Sequence, residues 1–137
     1  MIKAVIFDCF GVVVDIMRGT KIEQTMALVK ELKSQYTLAM MTNAPSRYSL
    51  DQRFLPGELD ELFEVVVVSG EVGWDKPAPE IYTMTAERLG VLPEECLFID
   101  DIPAFTEAAA SLGMQTFTYL NIPESITAIK AILEKKK

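Results

Sequence analysis

The sequence contains no histidine, and this absence removes several classes of chemistry. Ser-His-Asp and Cys-His catalytic arrangements, imidazole proton shuttles and most transition-metal sites all depend on that residue. Any reaction must therefore use carboxylates, hydroxyls or lysine, with a hard cation as the natural metal partner. Cysteine is nearly absent too, because only Cys9 and Cys96 occur. Both lie in apolar runs, which predicts two buried thiols rather than a disulfide.

Positive charge is also scarce: 13 basic residues stand against 20 acidic ones, and the net charge is −7. The one basic run is residues 135–137. Nucleic acids and anionic membranes are bound by clustered positive charge, so this balance argues against both as partners. No apolar run approaches the roughly 18 residues of a spanning helix, and the first residues lead into a strand-like segment rather than a cleavable signal. We expect a soluble, cytoplasmic protein.

The pattern that is present alternates short apolar runs with segments of helical period. At 137 residues the chain has room for one core, so we predict a single domain over residues 1–137. Near-continuous apolar strands separated by helices are typical of a parallel sheet that is covered on both faces. We therefore predict an α/β fold, a three-layer α/β/α sandwich around a five-stranded Rossmann-like sheet. The predicted strands are residues 4–7, 38–41, 64–68, 96–99 and 116–119, and the main helices lie near residues 21–34, 81–89, 105–112 and 126–133.

Polar side chains follow three of the predicted strands. Asp8 comes after the first, Thr42 and Asn43 after the second, and Asp100 and Asp101 after the fourth. Any one of these residues could be an ordinary cap or strand terminator. Their repetition at three strand ends predicts a site, because parallel strands end at one edge and open α/β sheets bind ligands there.

Four segments, taken in order, resemble a known family. They are residues 7–15 with Asp8 and Gly11, the Thr42-Asn43 pair, residues 76–82 beginning Lys-Pro-Ala-Pro, and residues 98–101 with the acid pair. Together they resemble the four motifs of the haloacid dehalogenase-like (HAD) hydrolase superfamily, from residue 2 to the last helix.

The residue types suit phosphoryl transfer. A carboxylate at Asp8 can attack phosphorus and form an aspartyl phosphate. Asp8 and Asp101 supply hard oxygens of the kind that Mg²⁺ prefers. The Thr42 hydroxyl and the Lys76 ammonium can hold the oxygens of the transferring group, and Lys76 also offsets repulsion among the carboxylates.

The resemblance implies corresponding roles. Asp8 is the expected nucleophile, and the Mg²⁺ ligands are expected to be Asp8, the backbone carbonyl of Phe10 and Asp101, with Asp100 as an auxiliary acid. Thr42 and Lys76 are the expected phosphate clamps, and Asn43 is expected to contact substrate.

Two aromatic residues depart from the family pattern. Phosphatases of the superfamily typically carry an aspartate at the position of Phe10, where it protonates the leaving oxygen. General acid–base help contributes about 10²–10⁴ in rate, so we expect weak turnover of alkyl phosphates and less effect on leaving groups that depart as stable anions. Phe105 stands where many phosphatases have Asp or Asn and is expected to weaken the metal site.

The chain also lacks room for a separate cap domain. Residues 16–36 hold little more than a crossover helix, and residues 44–63 form a short irregular and helical passage, so we expect an open catalytic edge. In the family an open edge accompanies macromolecular substrates, a cap borrowed from a neighbouring subunit, or removal of the cap. We expect Phe10, Trp74 and residues 12–14 to form an exposed apolar patch, and a homodimer to cover it.

These observations favour a Mg²⁺-dependent phosphohydrolase acting on a phosphorylated small molecule or macromolecule. One alternative is a 2-haloacid dehalogenase that forms an ester on Asp8, because dehalogenases of the superfamily carry an aromatic residue at the position of Phe10. Their fourth motif typically lacks an acid pair, so Asp100 and Asp101 favour the phosphatase. A second alternative is a catalytically weak binding or scaffold domain, or an engineered minimal core.

Overall fold

A computed structural model describes residues 1–135 of the chain. It contains a five-stranded parallel sheet in the order β3-β2-β1-β4-β5, which confirms the predicted fold class. Each predicted strand is present, with ends that shift by one residue at most. The strands are β1 (Ala4–Phe7), β2 (Thr37–Thr42), β3 (Val65–Val68), β4 (Cys96–Asp100) and β5 (Gln115–Thr118).

Helices cover both faces of the sheet. The four long helices all correspond to predicted helical segments. Two short helices fall within the passage of residues 44–63 that was predicted to be partly helical, and a third, at Ser69–Val72, was not predicted. None of the helices within residues 1–135 has the length and apolar character needed to cross a membrane. The helices are α1 (Glu23–Leu32), α2 (Arg47–Asp51), α3 (Glu58–Leu62), α4 (Ser69–Val72), α5 (Pro79–Leu89), α6 (Pro103–Ser111) and α7 (Ile122–Lys135), and a 3₁₀ turn spans Pro93–Glu95.

The sheet separates two hydrophobic clusters, because successive strand side chains point to opposite faces. In β1, Val5 and Phe7 join the cluster packed by α1 and α7, whereas Ala4 and Ile6 join the cluster packed by α5 and α6. Both sets of side chains are buried, which explains why the strands are apolar without alternation. The central strand β1 has β2 on one side and β4 on the other, so the ends of these three strands lie together.

The passage from β1 to α1 folds back under the sheet edge. The Cys9 carbonyl accepts hydrogen bonds from the amides of Val12, Val13 and Val14, at 3.2, 2.8 and 2.9 Å. All three valines are fully buried. The prediction that residues 12–14 form part of an exposed apolar patch is therefore wrong, because the turn directs them into the core.

A small hairpin follows this turn. The Asp15 amide donates to the Thr20 carbonyl at 2.8 Å, and Asp15 Oδ1 accepts from the amides of Met17 and Arg18, both at 2.9 Å. Between β1 and β2, this turn, the hairpin and α1 are the elements that the structure contains. Residues 136 and 137, part of the terminal basic run, lie outside the described residues.

Candidate active site

The predicted site residues converge at the carboxyl edge of the sheet. Asp8 directly follows β1, Thr42 ends β2 and Asp100 ends β4. The register places Asp100 level with Asp8 and Thr42 one residue further along, because Phe7 of β1 pairs with both Met40 and Ile99. The three strands therefore present polar side chains side by side where hydrophobic pairing stops.

Lys76 reaches this edge from the loop between α4 and α5. Its Nζ lies 2.8 Å from Asp8 Oδ1 and 2.6 Å from Asp100 Oδ2. The lysine and both carboxylates are buried. Removing one partner from a buried ion pair typically costs about 3–5 kcal/mol, so this contact fixes Lys76 between β1 and β4.

Asn43 holds the Lys76 loop through the backbone. Its Nδ2 donates to the Lys76 carbonyl at 3.0 Å, and its Oδ1 accepts from the Lys76 amide at 2.8 Å. The Lys76–Pro77 peptide bond is cis. Asn43 was predicted to contact substrate; in the structure its side chain positions the residue that carries the ammonium, and a substrate contact stays a prediction.

Asp101 faces the turn that follows Asp8. Gly11 has a φ of +95°, and a side chain on it would collide with the Asp101 carboxylate. The Asp101 Oδ1 atom is buried and has no hydrogen-bond partner within residues 1–135. One carboxylate oxygen from each of Asp8, Asp100 and Asp101 lies within 4.8 Å of the others. The arrangement offers a cluster of hard oxygens with an unused acceptor, which suits a small divalent cation.

The electrostatics of the cluster point the same way. Burial raises the pKa of Asp8 to about 7; Lys76 opposes the shift, while Asp100 and Asp101 add to it. Burial also raises the pKa of Asp101, and the neighbouring Asp100 carboxylate reinforces that rise. When all are ionised, three carboxylates and one ammonium leave two negative charges in excess. A bound cation would relieve this repulsion.

Two aromatic rings also lie close to the Lys76 ammonium. Its Nζ lies 5.1 Å from the centre of the Phe105 ring and 5.6 Å from that of Phe98. Tyr82 is fully buried, packs edge-on against Phe98 and donates a hydrogen bond to the Phe105 carbonyl at 2.8 Å. The contact of Phe105 with Lys76 was not predicted, although Phe105 lies only four residues after Asp101.

The remaining predicted residues lie around the cluster. Thr42 is buried at the end of β2. Phe10 is half-buried and packs against the cluster of α1 and α7. Trp74 is 43% exposed in the loop before Lys76, and a shallow cleft of about 340 Å³ lies beside it, lined by residues that include Asn43, Ser69 and Asp75.

Acids and a buried lysine thus meet at the carboxyl edge of a parallel sheet, and comparison with known proteins gives the family. Residues 19–113 match the family model described as haloacid dehalogenase-like hydrolase. The chain therefore belongs to the haloacid dehalogenase-like hydrolases, which confirms the resemblance found in the sequence. The matched range begins after Asp8, so the placement of that residue rests on the geometry above.

Curated relatives include several phosphatases. The chain is 36% identical over 97 residues to a phosphorylated carbohydrates phosphatase of Thermotoga maritima, covering 71% of this chain and 44% of the relative. It is 33% identical over 91 residues to a phosphatase of Mycobacterium tuberculosis, covering 66% and 42%. With the human N-acylneuraminate-9-phosphatase it shares 27% identity over 103 residues, covering 74% and 41%. The chain thus spans less than half the length of these relatives.

Solved structures share the fold. A HAD-like family hydrolase from Porphyromonas gingivalis superimposes with a TM-score of 0.78 at 24% identity, covering 97% of this chain and 98% of that one. A HAD family enzyme from Bacteroides thetaiotaomicron, solved in complex with magnesium and inorganic phosphate, gives a TM-score of 0.76 at 18% identity, covering 88% and 95%.

Proposed function

We propose that this domain is a Mg²⁺-dependent phosphohydrolase that works through an aspartyl phosphate on Asp8. The observation that carries the proposal is the buried Lys76 ammonium between Asp8 and Asp100, beside an Asp101 oxygen without a partner. The phosphatases among the relatives and the magnesium and phosphate bound by the Bacteroides enzyme support it.

The donor set fits the metal. Asp8, Asp101 and the Phe10 carbonyl would hold Mg²⁺, and Asp100 would remain paired with Lys76. The buried, unpartnered Oδ1 of Asp101 is the atom that most needs such a partner, because a buried acceptor without one is costly. When bound, the cation supplies charge neutralisation for the phosphoryl oxygens and for the crowded carboxylates.

The residues of the chain can then carry out two displacements. A carboxylate oxygen of Asp8 attacks phosphorus, the bond from phosphorus to the ester oxygen breaks, and the alcohol leaves. Water next attacks the phosphorus of the aspartyl phosphate, which releases inorganic phosphate and restores the carboxylate. An ammonium has three protons, of which two face Asp8 and Asp100, so the third can bind a phosphoryl oxygen together with the Thr42 hydroxyl.

Phe10 decides which esters react well. A phenyl ring cannot give a proton to the departing oxygen, so an alkyl phosphate must lose a poor leaving group without help. An aryl phosphate leaves as a stabilised anion. We infer a preference for phosphorylated small molecules with good leaving groups.

The experiment compares three chains on para-nitrophenyl phosphate and on an alkyl phosphate, each with Mg²⁺. Asp8→Asn should abolish both activities because an amide is a poor nucleophile. Phe10→Asp should raise turnover of the alkyl ester by up to about 10²–10⁴, whereas the matched control Phe10→Leu should not. If the unchanged chain is no faster than Asp8→Asn on the aryl ester, and Phe10→Asp gains nothing, a scaffold domain takes the place of the phosphatase.

The dehalogenase is favoured by one observation, the aromatic residue at position 10. That reaction needs no proton for its leaving halide and no divalent cation. Release of chloride from a 2-haloacid in the presence of a chelator, abolished by Asp8→Asn, would establish it in preference to the phosphatase.

A further inference from the structure

The geometry around Lys76 points to a role for Phe105, which we propose is a positioning residue that holds the Lys76 ammonium with the face of its ring. The inference deepens the proposed function, since it concerns how the phosphate-binding cation is fixed. It rests on the ring contacts rather than on the family pattern, from which Phe105 departs.

The ammonium has two kinds of surroundings. Asp8 and Asp100 accept hydrogen bonds from Nζ at 2.8 and 2.6 Å. The centres of the Phe105 and Phe98 rings lie 5.1 and 5.6 Å from Nζ, within the distance at which a ring face attracts a cation. The side chain of Lys76 is only 1% exposed, so little water competes with these contacts.

The Phe105 ring is itself held in place. Its backbone carbonyl accepts the Tyr82 hydroxyl at 2.8 Å, and the Tyr82 ring packs against Phe98 with centres 5.4 Å apart. Helix α6, which begins at Pro103, carries Phe105 in its first turn directly after the acid pair. Two of these rings, Phe98 and Phe105, lie near the Lys76 ammonium, and Tyr82 links them through its ring contact with Phe98 and its hydrogen bond to the Phe105 carbonyl.

This arrangement explains how the site tolerates an apolar residue where a polar one is usual. A carboxylate or amide at position 105 could accept a hydrogen bond from Lys76, but it would compete with Asp8, Asp100 and a phosphoryl oxygen for three protons. A ring face attracts the charge without taking a proton. All three donors stay available to the two carboxylates and to phosphate.

A double-mutant cycle tests the contact without any ligand. Phe105→Leu, Lys76→Met and the double variant are unfolded in urea, and the coupling between the two changes is compared with that of Phe117→Leu and Lys76→Met. Phe117 is a half-buried ring in the cluster on the opposite face of the sheet. We expect a coupling of about two- to thirty-fold in the folding equilibrium constant for Phe105, and none for Phe117. Equal couplings would overturn the proposal.

Fluorinated rings provide a second measurement if Lys76→Met does not fold. Replacing Phe105 by mono-, di- and trifluorophenylalanine weakens the ring's attraction for a cation while nearly keeping its shape. The folding equilibrium constant should fall stepwise with each fluorine at position 105 and show no such trend at position 117. A flat series at position 105 would overturn the proposal.

Binding of inorganic phosphate with Mg²⁺, followed by calorimetry, then tests the functional consequence. Phe105→Leu should weaken phosphate binding by about two- to thirty-fold, and Phe105→Tyr, which keeps the ring, should restore it. If the unchanged chain binds no phosphate, the proposed function fails while the cycle still decides on the ring contact. If the unchanged chain binds phosphate and Phe105→Leu binds it equally well, the positioning role is wrong and the proposed function stands.

Discussion

Gly11 has a backbone conformation that favours glycine, and it lies against Asp101 of the candidate metal site. Its positive φ is unfavourable for other residues, and a side chain there would also strike the Asp101 carboxylate. Gly73 is a natural control, because it has a φ of +83° with nothing within 4 Å of the position a side chain would take.

We expect Gly11→Ala to be more destabilising than Gly73→Ala. The backbone cost of about 1–2 kcal/mol applies to both, but only Gly11→Ala must also displace Asp101. Urea unfolding of the two variants measures the difference. Equal losses of unfolding free energy would contradict a close approach of Asp101 to Gly11.

Asp101 should govern the response of the protein to Mg²⁺. A cation that binds only the folded state raises the melting temperature by mass action, so millimolar Mg²⁺ should stabilise the unchanged chain and Asp101→Asn much less. The control is Asp75→Asn, an exposed acid that lies outside the carboxylate cluster. Thermal melts with and without Mg²⁺ provide the measurement, and an equal shift in the Asp101 and Asp75 variants would count against the site.

The placement of some residues at the candidate site could be predicted from the sequence, and that of others could not. Asp8, Thr42, Asp100 and Asp101 stand out because polar residues directly after apolar strands have no place in a hydrophobic pattern. The roles of Asn43 and Phe105 depend on which way a side chain points across the sheet edge. That direction is set by the packing of α5 and α6, which spacing along one chain does not specify.

Among the secondary-structure elements, too, some could be predicted from the sequence and others could not. Strands and long helices follow from local periodicity, so their ends are predicted to within a few residues. The short helices α2, α3 and α4 have too few residues to show a period. The prediction for residues 12–14 failed because burial there comes from a turn around the Cys9 carbonyl rather than from a strand.

One ion pair connects the hairpin region to α3. Lys21 Nζ lies 2.7 Å from Glu58 Oε1, and the same oxygen accepts from the Leu55 amide at 3.0 Å. Burial alone would raise the pKa of Glu58, but the hydrogen bonds from Lys21 and Leu55 lower it overall.

Because folding lowers this pKa, the contact stabilises the protein above the usual pKa of glutamate, and the stabilisation is lost as the pH falls through the lowered value. Glu58→Gln should therefore reduce stability at pH 7 and lose less stability than the unchanged chain on acidification toward pH 3. Denaturant unfolding at several pH values checks this, with Glu61→Gln on the same helix as the control. Parallel pH profiles for the two variants would contradict it.

Across the whole molecule, exposed apolar side chains follow the carboxyl end of every strand. We call this set the apolar rim. Its members are Ile16 and Met17 after β1, Tyr48 after β2, Trp74 after β3, Ile102 after β4 and Leu120 after β5. Because loops that follow parallel strands lie at the carboxyl edge of the sheet, these residues lie on the same side of the molecule as the candidate site. A contiguous apolar surface there would mark an interface.

We expect a homodimer in which the rim is covered, although its composition differs from the patch predicted from the sequence. Light scattering should give a mass above the 15.3 kDa of one chain. Met17→Glu with Leu120→Glu should shift the population to monomer. Leu92→Glu, at a residue that is also exposed but is placed before β4, should not. A monomer at high concentration in the unchanged chain would contradict the expectation.

The hairpin after β1 is a position at which this fold can accept an inserted segment. The two ends of this hairpin lie next to each other, because the Asp15 amide donates a backbone hydrogen bond of 2.8 Å to the Thr20 carbonyl. The closure entropy of an inserted segment rises only as the logarithm of its length, by about 0.6 kcal/mol for each doubling. A long segment inserted between Met17 and Arg18 would therefore add little closure entropy, and the strands of the sheet could keep their register. Residues that select the substrate could in this way be added at the hairpin without a change in the residues of the candidate active site.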